Sequence, residues 1–134
     1  MILLDTDILI DHFHGHEAAK NLIRETLLSG ETLGISVATV AEILAGMRPG
    51  EEDKTEALLS LFQIIAADES TARLAGSYLN QYAAKQRFDL GDALIAATTQ
   101  LNGAILHTRN TQHYPMNDIT VKVPYERGKR QPGG

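Results

Sequence analysis

The chain has 134 residues, enough for one hydrophobic core, and its 43% hydrophobic and 22% charged residues are ordinary for a folded domain. Cysteine is absent, which excludes disulfides and Cys-based zinc sites and suits a reducing compartment. A net charge of −5 argues against general nucleic-acid binding, unless gathered carboxylates hold a cation that reverses the local sign.

The opening Met1-Ile2-Leu3-Leu4-Asp5 has no basic region and meets an acid after a short apolar run, so it does not read as a signal peptide. No apolar run approaches the ~20 residues of a membrane span, and the chain is expected to be soluble and cytoplasmic. Ile2-Leu3-Leu4 suits a strand buried on both faces of a parallel sheet. Ile8, Leu9 and Phe13 place a short helix over 6–13, interrupted near Gly15. Ala18, Ala19, Leu22, Ile23, Leu27 and Leu28 mark a second helix, stopped by Ser29-Gly30. Residues 33–37 read as a strand, 39–45 as a helix broken at Gly46, 51–61 as a helix, and 62–66 as a third strand. Residues 70–85 form a long amphipathic helix and 92–101 an Ala-rich one capped by Asn102-Gly103. Strands follow at 104–106 and 119–123. Strands alternating with helices predict an α/β fold with a mostly parallel five-stranded sheet and helices on both faces. A single domain is expected over 1–126, with a polar, Gly/Pro-rich, flexible tail over 127–134.

Ligands of open α/β sheets bind beyond the carboxyl ends of the strands. Asp5 follows the first strand, Glu42 lies in the first turn of the helix after the second, and Asp92 opens the Ala-rich helix. Thr108-Arg109-Asn110 follows the fourth strand. Each acid also has a structural role available. Asp5 suits an N-cap, Thr39-Val40-Ala41-Glu42 matches a capping box, and Asp89 with Asp92 permits another. Capping explains each acid alone but not why three fall at one sheet edge. Crowded carboxylates repel unless a cation lies between them, and oxygen donors without His or Cys select Mg²⁺ or Mn²⁺. Such an ion with its waters is what phosphodiester hydrolysis requires.

These segments resemble the PIN-domain nucleases, specifically VapC-type toxins. Leu4-Asp5-Thr6-Asp7-Ile8-Leu9-Ile10 is similar to the family's first motif, and Ile35 to Ile43 with Glu42 to its second. Asp92-Ala93-Leu94-Ile95-Ala96-Ala97-Thr98 is the most specific piece, and Leu106 to Asn110 with His113-Tyr114 resembles the fourth. The likeness runs in order from Met1 to about Tyr125. It implies a Mg²⁺- or Mn²⁺-dependent endoribonuclease, a homodimer, and a VapB-type antitoxin that plugs the site in a larger complex. Asp5, Glu42 and Asp92 would then be the catalytic and metal-site acids, with Thr6, Asp7 and Thr108 in support. Asn110 stands where many members carry a fourth Asp, and Asp7 where Asn, Ser or Thr is frequent, so Asp7 can supply part of the missing charge.

Arg109 is placed either against a substrate phosphate or beside a carboxylate. His12, His14 and His16 look like a metal cluster, but Gly15 breaks their helix and a solvated turn is the simpler reading. Lys85 and Arg87 are either RNA guides or a solvated helix end, Asp89 is a cap, and Lys129-Arg130 is left without a role. Two rival functions remain. Asp5-Thr6-Asp7 superficially resembles the nucleophile motif of haloacid-dehalogenase phosphatases, which also need a Lys and a late acidic pair. The other rival is a PIN-like module that binds RNA or a partner without cutting.

Overall fold

The computed structural model describes residues 1–126, so the tail expected over 127–134, with Lys129-Arg130, lies outside the described residues. Twelve elements follow one another: β1 (Ile2–Leu4), α1 (Thr6–Phe13), α2 (Glu17–Leu28), β2 (Leu33–Ser36), α3 (Val37–Ala45), α4 (Glu52–Leu59), β3 (Gln63–Ile65), α5 (Glu69–Tyr82), α6 (Leu90–Leu101), β4 (Ile105–His107), one 3-10 turn (Thr111–His113) and β5 (Thr120–Lys122). The five strands pair in the order β3-β2-β1-β4-β5, every pair parallel. The predicted α/β architecture is therefore present. Among the described residues no helix is long and apolar enough to cross a membrane.

β1 lies at the centre, with Ile2 opposite both Leu33 of β2 and Ile105 of β4. Its consecutive side chains point to opposite faces of the sheet. Leu3 joins a core with Ala75 and Tyr78 of α5 and Ala93, Ala96 and Ala97 of α6. Leu4 joins Ile8 and Leu9 of α1, Ile23 of α2, and Leu58 and Leu59 of α4 on the other face. Both leucines are fully buried, so the continuous apolar run at the N-terminus does mark a two-sided strand. Gly30, at φ 81, ends the α2 connection in a left-handed conformation that a side chain would strain.

The boundaries differ from the sequence reading at two instructive places. α3 begins at Val37, earlier than predicted, because Ser36 is its N-cap and accepts the Ala38 N–H at 3.0 Å. The expected Thr39–Glu42 capping box is therefore absent: Thr39 is fully buried inside the helix, and Glu42 lies beyond the first turn. α6 begins at Leu90 rather than Asp92, since Asp89 caps it and Asp92 is the third helical residue. β3 is a short edge strand, with Phe62 turned into the core just before it and Ile64 48% exposed.

Ser36→Ala is expected to lower the unfolding free energy by about 1 kcal/mol, the usual cost of losing a hydroxyl cap. The urea midpoint reads this directly, and an unchanged midpoint would remove Ser36 as the cap.

Candidate active site

From β1 the chain winds outward through β2 to β3, then returns to β1's other side as β4 and continues to β5. The winding reverses between β1 and β4, and such reversals open a crevice beyond the strand ends. Asp5 and Thr108 are the first residues past these two strands. The ladder continues to them, with Asp5 N–H donating to His107 C=O and Thr108 N–H to Lys122 C=O, each at 3.0 Å. The Thr108 hydroxyl donates to Asp5 Oδ2 at 2.7 Å. The Tyr114 hydroxyl donates to the same oxygen at 3.0 Å, and the Thr6 N–H to Asp5 Oδ1 at 2.8 Å. Asp5 is thus both the cap of α1 and a buried, triply hydrogen-bonded carboxylate.

Glu42 reaches the same edge from α3. Its Oε1 lies 3.0 Å from the Thr6 hydroxyl, which lies 3.0 Å from the Thr39 hydroxyl. One proton cannot serve both neighbours, so Thr6 donates to the carboxylate and accepts from Thr39. Asp92 and Asp89 exchange backbone N–H bonds in a true capping box, at 2.9 and 3.2 Å. A Cβ on Gly91 would stand 3.3 Å from Glu42 Oε1 and 3.4 Å from Asp89 Oδ1. The glycine therefore lets the first turn of α6 lie against the Glu42 carboxylate.

The electrostatics record the crowding. Burial pushes Asp92 up to about 6, with the Asp89 and Asp5 charges adding to it. Glu42 is raised by burial and by the same two neighbours, against the Thr6 hydrogen bond. Burial, then the Asp5 charge, pushes Asp7 up to about 6. Asp7 Oδ2 accepts from Arg109 N–H at 3.0 Å and from the Asn110 amide at 3.1 Å, whereas its buried Oδ1 has no hydrogen-bond partner. Tyr114 is raised by burial and by the surrounding carboxylates, so its hydroxyl keeps its proton.

Among the described residues no three of these acids already close on a single point as a metal cage. The edge is open. Mg²⁺ is commonly held by one or two carboxylates with waters completing its shell, so an oxygen-only, mutually repelling set with an orphaned buried Asp7 oxygen fits a hard cation.

Asp5, Thr6, Asp7, Glu42, Thr108 and Asn110 are linked by the bonds above, and Asp92 joins them through the approach of Gly91 to Glu42 and the Asp5 charge that acts on it. Of the two roles open to Arg109, the carboxylate one is observed. Its Nε lies 2.8 Å from fully buried Asp11, a charge contact off the hydrogen-bond line, and the Tyr125 hydroxyl donates to the same Asp11 oxygen at 2.7 Å. The end of β4 carries no acidic pair of the phosphatase kind. His16 precedes α2 as an N-cap without a side-chain bond, and His12 and His14 flank the α1 terminus, so the three do not form a metal cluster. Sequence reasoning missed the Tyr114 hydroxyl, Thr39 and the Asp11–Tyr125 pair. Only Tyr114 had a visible signal, its place beside the fourth motif.

The PIN domain family matches residues 2–118. Ribonuclease VapC10 of Mycobacterium tuberculosis is 40% identical over 126 residues, covering 93% of each chain. Ribonuclease VapC19 of the same organism is 38% identical over 117 residues, covering 87% of this chain and 94% of its own. A solved toxin–antitoxin complex from Klebsiella pneumoniae superposes with a TM-score of 0.74 at 32% identity, over 94% of this chain and 99% of that one. With this fold, this ordered set of edge residues and these relatives, the chain belongs to the PIN-domain family, in its VapC branch.

Proposed function

We propose that this protein is a metal-dependent endoribonuclease and the toxin of a toxin–antitoxin pair, working in the cytoplasm as a homodimer that a VapB-type antitoxin inhibits. The observation that carries the proposal is the meeting of Asp5, Glu42 and Asp92 at the β1/β4 crevice, where each raised acid feels the Asp5 charge. The ribonuclease names of VapC10 and VapC19 support the RNA substrate, and the Klebsiella pneumoniae complex supports an antitoxin partner.

Asp5 and Asp92 are the residues that would hold Mg²⁺ or Mn²⁺ directly, with Glu42 holding it through water or serving as base. A bound ion of this kind supplies a Lewis acid for the phosphate and lowers the pKa of water beside it. Thr108 and Tyr114 fix the Asp5 carboxylate through Oδ2, and the Thr6 N–H takes one site on Oδ1, so the remaining Oδ1 site is the one a cation would use. Thr6 holds Glu42, whose solvent-facing carboxylate can take a proton from an attacking water. Asp7 and Asn110 form a hydrogen-bonded pair in which the charge sits on residue 7 instead of residue 110. One metal is then favoured over two, since the amide brings no charge of its own.

Asp5→Asn and Asp92→Asn are each expected to cut cleavage of a structured RNA by at least about 100-fold. Gel assays in Mg²⁺ and Mn²⁺ decide the matter, and undiminished cleavage by either variant, or by the parent in excess chelator, refutes the assignment. RNA binding without any cleavage by the parent would instead support the non-cutting module. Asp7→Asn should weaken Mn²⁺ binding several-fold by calorimetry, and Asp7→Asn/Asn110→Asp should restore it. No change in affinity for the single variant would remove Asp7 from the metal site.

Linkage gives a further expectation. Folded Asp92 titrates near 6 against 3.8 for the free side chain, so the folded state binds the proton more tightly. Its ionisation therefore opposes folding, not at all below the lower value and fully above the higher one. Asp92→Asn keeps the carbonyl that the Asp89 N–H uses. In chelator at pH 7.5 the variant should be more stable by about 1 kcal/mol, a figure already reduced for solvent screening. The gain should shrink as pH falls through this window and vanish below about pH 3, and a melting-temperature difference independent of pH would contradict this.

A further inference from the structure

Two depressions beside α1, α3 and α4 share Phe13, His14 and Glu51 and so form one trough. The inner part, about 390 Å³, starts at Glu42 and passes Ile10, Ile43 and Met47, with Arg48 at its side. The outer part, about 690 Å³, opens over Phe13 among His12, His14, Lys20 and Lys54. One end of the trough is thus an acid of the candidate active site.

Three cations, Lys20, Arg48 and Lys54, line the trough against two acids, Glu42 and Glu51, with the positive excess in the outer part. The chain carries 17 acids against 12 Lys and Arg, yet Lys20, Arg48 and Lys54 line this one surface and all are exposed. Lys54 Nζ stands 4.1 Å from the Phe13 ring centroid, and among the described residues neither Lys54 nor Arg48 has a carboxylate at ion-pair distance. Lys20 has only a loose contact with Glu17, at 3.8 Å. Glu51 uses its carboxylate to accept the Arg48 backbone N–H at 2.8 Å. Burial, and then the Lys20 and Lys54 charges, lower the pKa of His12, which lines the same outer part. The floor between these cations is apolar and aromatic, with Phe13 and His14 edge-to-face at 6.1 Å.

We propose that this trough binds the single-stranded RNA flanking the scissile phosphate, with phosphates against Lys20, Lys54 and Arg48 and bases over the apolar floor. This inference rests on the ribonuclease reading and names where its substrate lies. A polyanion explains exposed cations without a close carboxylate partner, and only an unpaired strand exposes base faces to cover Ile10, Met47 and Phe13. A duplex would leave that floor uncovered.

The test is anisotropy of a fluorescein-labelled single-stranded RNA in chelator, which reads binding apart from cleavage, with cleavage kinetics measured in parallel in Mg²⁺. Lys20→Gln/Lys54→Gln should weaken binding about tenfold and lower the slope of log affinity against log salt by about 1.4, from about 0.7 per phosphate contact. Both side chains are exposed, and an unchanged melting temperature will confirm folding. An unaltered affinity and slope would overturn the proposal. So would the same loss arising only from Lys85→Gln/Arg87→Gln, or a defect of the Lys20/Lys54 variant confined to capture of the antitoxin. A parent that binds RNA with the expected slope but never cleaves would refute the ribonuclease reading and leave the trough assignment standing.

Discussion

The hydrogen bond from Thr108 to Asp5 holds together the two places where the sheet's winding turns around. It joins the ends of β1, which feeds both cores through Leu3 and Leu4, and β4, which feeds one of them through Leu106. Thr108 is fully buried and Asp5 nearly so, and a buried hydroxyl opposite a buried carboxylate is costly unless each satisfies the other. The remaining groups are placed by reference to this pair. Thr6 follows Asp5 in the chain and steers Glu42, and Tyr114 closes over the same carboxylate oxygen. Asn110 N–H returns to the Thr108 hydroxyl.

The edge is built at an electrostatic cost. Four acids approach one another, and burial raises three of them before any neighbour's charge is counted. Helix caps and hydroxyl donors offset part of the repulsion without removing it, and the surplus is what a hard cation would relieve. Sites of this kind commonly trade stability for chemistry. The same logic makes the capping and catalytic readings of Asp5 and Asp92 compatible. A helix N-terminus holds a carboxylate in place through its N–H groups, and the carboxylate's other lone pairs stay open to a ligand.

Much of this was legible in the sequence because it rests on local chemistry. The apolar run before Asp5 identified a two-sided central strand, and Asp89 with Asp92 announced the start of α6. The order of acids after successive strands located the edge, since parallel strands put their carboxyl ends on one side. What escaped depended on partners distant in the chain. Thr39 looked like a cap, but Ser36 took that role, and Thr39 packs inward against Thr6. Asp11 sits among apolar helix positions, and nothing nearby announces that Arg109 and Tyr125 will meet it. The trough along α1 and α4 was equally hidden, because Lys20, Arg48 and Lys54 are scattered through segments with no shared pattern.

The span of the Asp5 contacts bears on how such a protein is made. The two hydroxyls that clamp this carboxylate lie 103 and 109 residues downstream of it. During translation the first strand leaves the ribosome long before either donor exists, and parallel pairing must wait for β4 to emerge. A growing polypeptide therefore carries Asp5 but not its clamped arrangement until Thr108 and Tyr114 have been made. An enzyme that attacks RNA would in this way stay unassembled while those residues are still to be added.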